Sequence, residues 1–311
     1  MKIAVLTSVH PRTDTRIRVK QLPSIVKLAD TQVRLFVMDG KGDEVVSGVQ
    51  IIDLGSSPRS RFSRALSGNW RMWCACRRWK ANIVHFHDPE LIIVGFALKI
   101  FSTKIIYDVH EDVPRQVLAK YWIPPILRRP VAVAASAFEW LAAKSFDGVV
   151  TATQTIANRF PENKTVTVQN FPILQELVAS ESAPYTERAP HFTYVGGITA
   201  IRGSFEMVRA IGRVSNDAAR LQLAGNFSPQ THKQELEQES GWKRVDFKGW
   251  ASRAELVHIL STVRAGLVVL HPTRNYPDAL PVKMFEYMAA GLPVIASDFR
   301  LWRQIVDRAG C

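Results

Sequence analysis

The stretch Asp278-Ala-Leu-Pro-Val-Lys-Met-Phe-Glu286-Tyr-Met-Ala-Ala-Gly-Leu-Pro-Val-Ile-Ala-Ser-Asp298 decides the fold class. Pro281 suits the first turn of a helix, Gly291 suits the position just past its end, and residues 292–296 read as a buried strand. Loop, helix, loop and strand in that order make an α/β unit. On this helix Val282, Phe285, Met288 and Ala289 form the buried face, leaving Lys283, Glu286 and Tyr287 partly free. The N-terminal amides carry a partial positive charge and attract phosphate. Glu286 sits a turn inside, where a carboxylate can accept hydrogen bonds from a vicinal diol such as a ribose. It also stands three residues after Lys283, a spacing that forms ion pairs, and both readings fit. Asp278 lies eight residues earlier, in the loop before the helix.

Working outward, apolar strands recur upstream at residues 192–196, 221–224, 245–247 and 265–270. A first series occupies residues 2–8, 32–38, 49–54, 83–86, 105–108 and 148–152, with helical patterns near 15–29, 91–101 and 131–146. Repeated strand, crossover, strand units imply parallel, doubly wound sheets. Residues 171–190 are polar, hold three prolines and show no sustained period, so they read as a linker. The expected domains are 1–170 and 191–311.

Composition narrows the partners. The chain has 311 residues, 47% hydrophobic content and a formal charge of +12, with 24 basic against 15 acidic residues in positions 1–180. Anionic partners follow: nucleotide phosphates, a polyprenyl phosphate, an acidic lipid surface or nucleic acid. Three cysteines, two of them in Cys74-Ala-Cys76, form no disulfide framework or zinc pattern, which fits a reducing cytoplasm. Residues 2–7 run at once into a polar loop and do not resemble a signal peptide. The apolar run 91–101 contains Lys99 and is too short to span a bilayer. The chain reads as soluble or lying on a membrane.

Four further motifs carry chemistry. Tyr194-Val-Gly-Gly197-Ile-Thr-Ala-Ile-Arg202-Gly203 is a Gly-rich turn after a strand, where backbone amides at Gly196 and Gly197 can approach a phosphate and Arg202 can close over it. Tyr107-Asp-Val-His110-Glu111-Asp112 ends a strand at the carboxyl edge of the first sheet, where open α/β sheets bind ligands. His110 there is either structural or a general base. His85-Phe-His87-Asp88-Pro89-Glu90 ends the preceding strand. His85 and His87 share one strand face, but no third protein ligand is evident, so no metal is expected and His87 and Asp88 shape the wall of a site. His10-Pro-Arg12-Thr-Asp14-Thr-Arg16-Ile is dense in polar groups, with Thr13 or Asp14 able to cap a helix beside solvated arginines.

Residues 58–80 hold seven basic residues and no acidic one, with Trp70, Trp73 and Trp79 at roughly helical spacing. Arg64, Trp70, Arg71, Trp73, Arg77 and Arg78 suit the interface of an anionic bilayer. A buried tryptophan stripe under a solvated arginine face is the other reading. No nucleic-acid recognition motif is present, so no nucleic-acid partner is expected.

Taken together, the acidic-x7-Glu element and the glycine turn resemble those of retaining glycosyltransferases of the two-domain GT-B class, group 1 or family 4, and the resemblance runs from His10 to Ile305. It implies two Rossmann-like domains facing across a cleft and a nucleotide-sugar donor, UDP- or GDP-linked, with no cofactor. Glu286 would hold the nucleotide ribose and Asp278, where the family more often has Glu, the donor sugar. Arg202 takes the place of the family's lysine and Gly197 that of its arginine, with Lys283 as the second cation toward the diphosphate. His110 would lie beside the transferred sugar. His10, Asp14, Arg16, His87, Asp88 and Glu111 would line the acceptor side. The acceptor implied is a saccharide, lipid-linked, in surface polysaccharide synthesis at the inner face of the cytoplasmic membrane. In the family a further strand and helices follow, so the second domain reads as incomplete. The rivals are an epimerase of the same architecture and a noncatalytic nucleotide-sugar-binding relative.

Overall fold

The computed structural model describes residues 1–58, 60, 63–120, 123–177, 184–273 and 276–310, with the side chains of Arg64 and Ala119 outside that description. The chain divides into two compact units, residues 1–169 and 170–311.

Among the described residues the first unit is built on eight strands: β1 (Lys2–Leu6), β2 (Gln32–Val37), β3 (Glu44–Val46), β4 (Val49–Asp53), β5 (Ile83–Phe86), β6 (Lys104–Val109), β7 (Gly148–Thr151) and β8 (Thr165–Thr167). Their order in the sheet is β3-β4-β2-β1-β5-β6-β7-β8, and all neighbours are parallel except β3 and β4. Near-continuous apolar strands are what a sheet covered on both faces requires. Alternation assigns the side chains: Ala4 and Leu6 enter the core on one face, Ile3 and Val5 the core on the other. After β1 the chain winds outward to β2, then returns to β5 on the opposite side. The loops after β1 and β5 therefore diverge at the carboxyl edge and leave a crevice there. Register brings Leu6, Phe86 and Tyr107 into line, so Thr7, His87 and Asp108 come next along that edge.

Three helices, Asn69–Trp79, Ile92–Lys99 and Pro125–Ser145, pack on one face of this sheet. The last begins six residues before the expected 131 because Pro125 fits the first helical position, where its missing N–H has no partner to lose, and Pro130 does not end the helix. The expected helix over 15–29 is instead a wide π-type turn, Thr15–Gln21, running into a short helix, Leu22–Val26. The edge strands β3 and β8, three residues each, are too short to show a period in the sequence.

Among its described residues the second unit has five parallel strands, β9 (His191–Val195), β10 (Arg220–Ala224), β11 (Val245–Gly249), β12 (Ala265–Val268) and β13 (Val294–Ala296), ordered β11-β10-β9-β12-β13. Its reversal point falls between β10 and β12, beside β9. Both second-unit motifs leave the sheet there: the glycine turn after β9, and the loop after β12 that leads to the helix Val282–Ala289. The linker packs onto this unit, Tyr185 donating to the Arg264 carbonyl at 2.9 Å and Arg253 pairing with Glu176 at 3.2 Å. Residues 178–183 lie outside the described residues.

Three expectations for the opening stretch need correction. Pro281 caps the helix rather than starting it, and the fully buried residues are Met284 and Tyr287. Tyr287 turns inward because Gly266 on β12 leaves room for its ring: a Cβ there would stand 2.2 Å from the ring. Its hydroxyl accepts the Val195 amide at 3.1 Å, tying helix to β9. The strand expected at 292–296 is the shorter β13 at the sheet edge, with Ile295 48% exposed.

Candidate active site

In the first unit the carboxyl ends of β1, β5 and β6 gather a charged cluster around Asp108, which is fully buried. Arg16 Nη2 donates to its Oδ1 at 3.1 Å and Gln21 Nε2 to its Oδ2 at 2.5 Å. His85 Nε2 stands 3.4 Å and His87 Nδ1 3.6 Å from Oδ2. Burial works to raise the Asp108 carboxyl, but the contact with His85 and the charge of Arg16 outweigh it and hold the group well below the carboxylate range. Arg16 also donates to the Val168 carbonyl at 3.1 Å. The guanidiniums that the helix-cap reading left in solvent are buried: Arg16 on Asp108, and Arg12 on Asp39 and Glu44 at 2.6 and 3.2 Å.

Asp88, 3% exposed, gathers the loop after β1: its Oδ2 accepts from Thr7 Oγ1 at 2.9 Å and from the Ser8 amide at 2.6 Å. Asp14 caps the wide turn through the Ile17 amide at 3.0 Å. His10 lies 3.6 Å from Asp14 and 3.4 Å from Asp88 Oδ1, and its Nε2 meets His110 Nε2 at 3.0 Å. The bond to Asp14 raises the His10 pKa against the opposing effect of burial; burial lowers that of His110 despite Asp108. Burial drives the His87 imidazole still further down, so it is neutral.

Of these side chains His10, His87, Asp88 and His110, with Glu111, line a cavity of about 230 Å³; Asp14, Arg16 and Asp108 lie behind it. Both ring nitrogens of His87 and Nδ1 of His110 are buried without a hydrogen-bond partner. The Nδ1 atoms of both rings face the Asp108 carboxylate, at 3.6 and 3.9 Å. His85, His87 and Asp108 place their ligand atoms within 4.8 Å of one another, so the structure supplies the third ligand that the sequence did not reveal. The Arg16 guanidinium and the Gln21 amide already hold that carboxylate, however, and a fixed positive charge 3.1 Å away opposes a divalent ion. The group is a buried anion ringed by donors.

In the second unit, Gly196 follows β9 at φ +129°, and the turn Ala200–Arg202 leads through Gly203 into the helix Ser204–Arg213. Lys283 reaches back over this turn. Its Nζ lies 3.8 Å from the centroid of the Tyr194 ring and 3.0 Å from where a Cβ on Gly196 would sit, which is why that residue is glycine. The ammonium nitrogen is shut off from solvent and has no hydrogen-bond partner. Burial, helped by the charge of Arg202 and opposed by Glu286, brings its pKa down to about 7. Glu286 does not pair with Lys283: its Oε1 accepts Arg253 Nη1 at 2.7 Å. Asp278 is exposed in the turn before the helix, a loop held by Trp302 donating to the Ala279 carbonyl at 2.7 Å.

Sequence reasoning missed Arg253 and the central part of Asp108. Arg253 stands 33 residues from Glu286 and has no local signal, whereas Asp108 lies inside a motif already singled out. A further constellation, Ser204 Oγ to His232 Nε2 at 2.6 Å and His232 Nδ1 to Glu235 at 3.0 Å, has the order of a hydrolase triad. Its hydroxyl is fully buried, so no substrate reaches it.

The basic aromatic helix Asn69–Trp79 turns Met72, Cys76 and Trp79 into the core. Trp79 is nine residues, half a rotation, from Trp70, so the tryptophans do not form one stripe. Trp70 is 64% exposed and stacks on half-buried Trp73 at 5.0 Å. Arg71 donates to the Leu54 and Ser56 carbonyls, and Arg77 lies 3.7 Å over the Phe101 ring. Arg59, Arg61 and Phe62 lie outside the described residues. No helix among the described residues is long and apolar enough to cross a membrane.

Comparison with known proteins agrees with this architecture. The family described as glycosyltransferase family 4 matches residues 27–170, and that described as glycosyl transferases group 1 matches residues 189–311. Sucrose-phosphate synthase from Thermosynechococcus elongatus superposes with a TM-score of 0.74 at 18% identity, over 96% of this chain and 81% of that one. Anabaena HepE, crystallised with UDP and glucose, gives 0.69 at 12% identity, over 98% and 83%. The lipopolysaccharide outer core galactosyltransferase WaaB gives 0.60 at 16% identity, over 96% and 81%. No curated protein matches the sequence. Two parallel Rossmann-like sheets with these matches define a glycosyltransferase of the GT-B type. Within that class the chain belongs to the group 1, family 4 glycosyltransferases.

Proposed function

We propose that the chain moves a hexose from a UDP- or GDP-linked donor, with retention of anomeric configuration, to a lipid-linked saccharide in surface polysaccharide synthesis. The observation that carries this reading is Lys283, a solvent-shielded amine with no partner, beside Arg202 at a glycine turn. Two cations there fit a diphosphate, whose oxygens would satisfy both and restore the lysine's charge. Glu286, already oriented by Arg253, would accept the ribose hydroxyls, and Asp278 the donor sugar. His110 and His87, which line the cavity of the first unit, would lie against the sugar. Stabilising the departing diphosphate lowers the barrier without a metal, a cofactor or a protein nucleophile, so the rate comes from positioning and electrostatics. HepE with UDP and glucose supports the donor class, and the outer core galactosyltransferase supports a saccharide acceptor. The basic first unit favours work at the inner face of the cytoplasmic membrane.

Calorimetric titration with UDP, GDP and ADP, with and without magnesium, on the wild type and on Glu286→Ala tests this. One nucleotide should bind without magnesium and lose affinity in the variant. Incubation with the matching nucleotide-sugar and analysis of the product anomer then reads retention. A folded chain that binds none of the three overturns the proposal.

A further inference from the structure

The helices Asn69–Trp79, Ile92–Lys99 and Pro125–Ser145 lie side by side over one core. An ordinary helix layer turns apolar residues inward and charges outward. This one leaves large apolar side chains outside: Trp70 is 64% exposed, Ile93 59%, Ile100 81%, Ile126 83%, Val133 69% and Leu141 54%. Rings join the helices across the layer, Trp73 meeting Phe101 at 6.3 Å and Phe96 meeting Phe138 at 6.2 Å. The apolar surface therefore extends beyond the basic tryptophan helix to two further helices.

Charge identifies the occupant. The three helices contain seven lysines and arginines and a single acidic residue, Glu139. Glu139 is 2% exposed and its carboxylate is taken up by Arg159 at 2.5 Å and Tyr107 at 2.9 Å. The three helices themselves thus present no carboxylate to solvent; of their cations Lys99 is paired, with Asp147 just past the third helix at 2.5 Å. Arg77 lies over Phe101, and Lys144 lies 3.9 Å over Trp140, so cations sit beside exposed rings. Long basic side chains can lie along apolar surface and keep their charge in the headgroup layer, while tryptophan favours that boundary. A protein partner would need its own apolar patch with acidic rim. An anionic bilayer supplies both over any area, and a helix of 21 residues lying flat meets it along about 30 Å.

We infer that this three-helix layer seats the protein on an anionic lipid bilayer. The inference rests on the proposed lipid-linked acceptor for its purpose. Its test uses neither donor nor acceptor, so its failure is distinguishable from failure to bind nucleotide. The purified chain is floated with phosphatidylcholine vesicles that contain or lack phosphatidylglycerol, at low and high salt. Binding should require phosphatidylglycerol and weaken with salt. Arg77→Gln and Arg129→Gln should each lower partitioning about fivefold. Trp70→Ser with Leu141→Ser, which leaves the charge unchanged, should lower it further. Exposed Lys243→Gln in the second unit is the control for general attraction of a basic chain. The inference is overturned if the wild type does not bind, if Lys243→Gln weakens binding as much as Arg77→Gln, or if the apolar pair has no effect while circular dichroism reports every variant folded.

Discussion

His10 Nε2 and His110 Nε2 face each other at 3.0 Å, a distance at which one proton must be shared between two imidazoles. Asp14 raises the affinity of His10 for that proton while burial lowers that of His110, which favours His10 as the donor and His110 as the acceptor. His110 then carries its own proton on Nδ1, toward Asp108 at 3.9 Å. His10 is a positioning residue in this reading. His10→Ala should leave His110 free to change tautomer and lower kcat/KM by about tenfold, the worth of one partly buried hydrogen bond. His10→Asn, which can still donate, should recover part of it. Nitrogen chemical shifts of His110 would report the tautomer directly, and an unchanged shift in His10→Ala would sink the assignment.

Acid should destabilise the first unit through His87. Its pKa in the fold lies well below 6.5 because it is buried, and that of His110 is lowered for the same reason. Below pH 6.5 the unfolded chain takes up these protons and the folded chain does not, so stability present above 6.5 is lost as pH falls toward the folded values. His10, shifted the other way, opposes this with one group against two. The melting temperature should drop on acidification below pH 6.5, and His87→Asn should flatten the slope.

Lys283 trades stability for ligand binding. Its pKa falls from 10.5 to about 7 in the fold, so between these values the unfolded chain holds the proton more tightly and burial of the amine works against folding. Lys283→Met should stabilise the free protein at neutral pH by about 4 kcal/mol. The same variant should lose most affinity for the nucleoside diphosphate. A bound diphosphate would raise the lysine's pKa, so wild-type affinity should be full below about pH 7 and decline above it. Titrations in buffers of different ionisation enthalpy would register proton uptake in the wild type and none through this group in Lys283→Met.

The parallel sheets were legible in the sequence because strands such as β1 and β6 are continuous apolar runs at crossover spacing. The wide turn over Thr15–Gln21 was not, since its residues suit an α-helix equally well. The helix face was misassigned for a similar reason. Tyr287 looks amphipathic in sequence, and only Gly266 on another strand makes space for it inside. Motif residues at strand ends, such as His87, Asp88 and His110, could be placed at the sheet edge from local pattern alone. Their partners could not: Arg16 reaches Asp108 across 92 residues, and nothing near either position announces the pair.

Arg253 and Glu286 supply the remaining prediction. Arg253 Nη1 donates to Glu286 at 2.7 Å, and Arg253 also pairs with Glu176 at 3.2 Å, so one guanidinium orients the carboxylate assigned to the ribose. Arg253→Met keeps the stem and removes the charge. Glu286 should then sample other rotamers and repel the incoming diphosphate more strongly, raising KM for the donor by about tenfold while kcat changes little. Glu286→Ala should lose more, because the ribose contact itself goes. If Arg253→Met instead lowers kcat at unchanged KM, Arg253 acts on the transferred group and the arrangement of the donor proposed here is wrong.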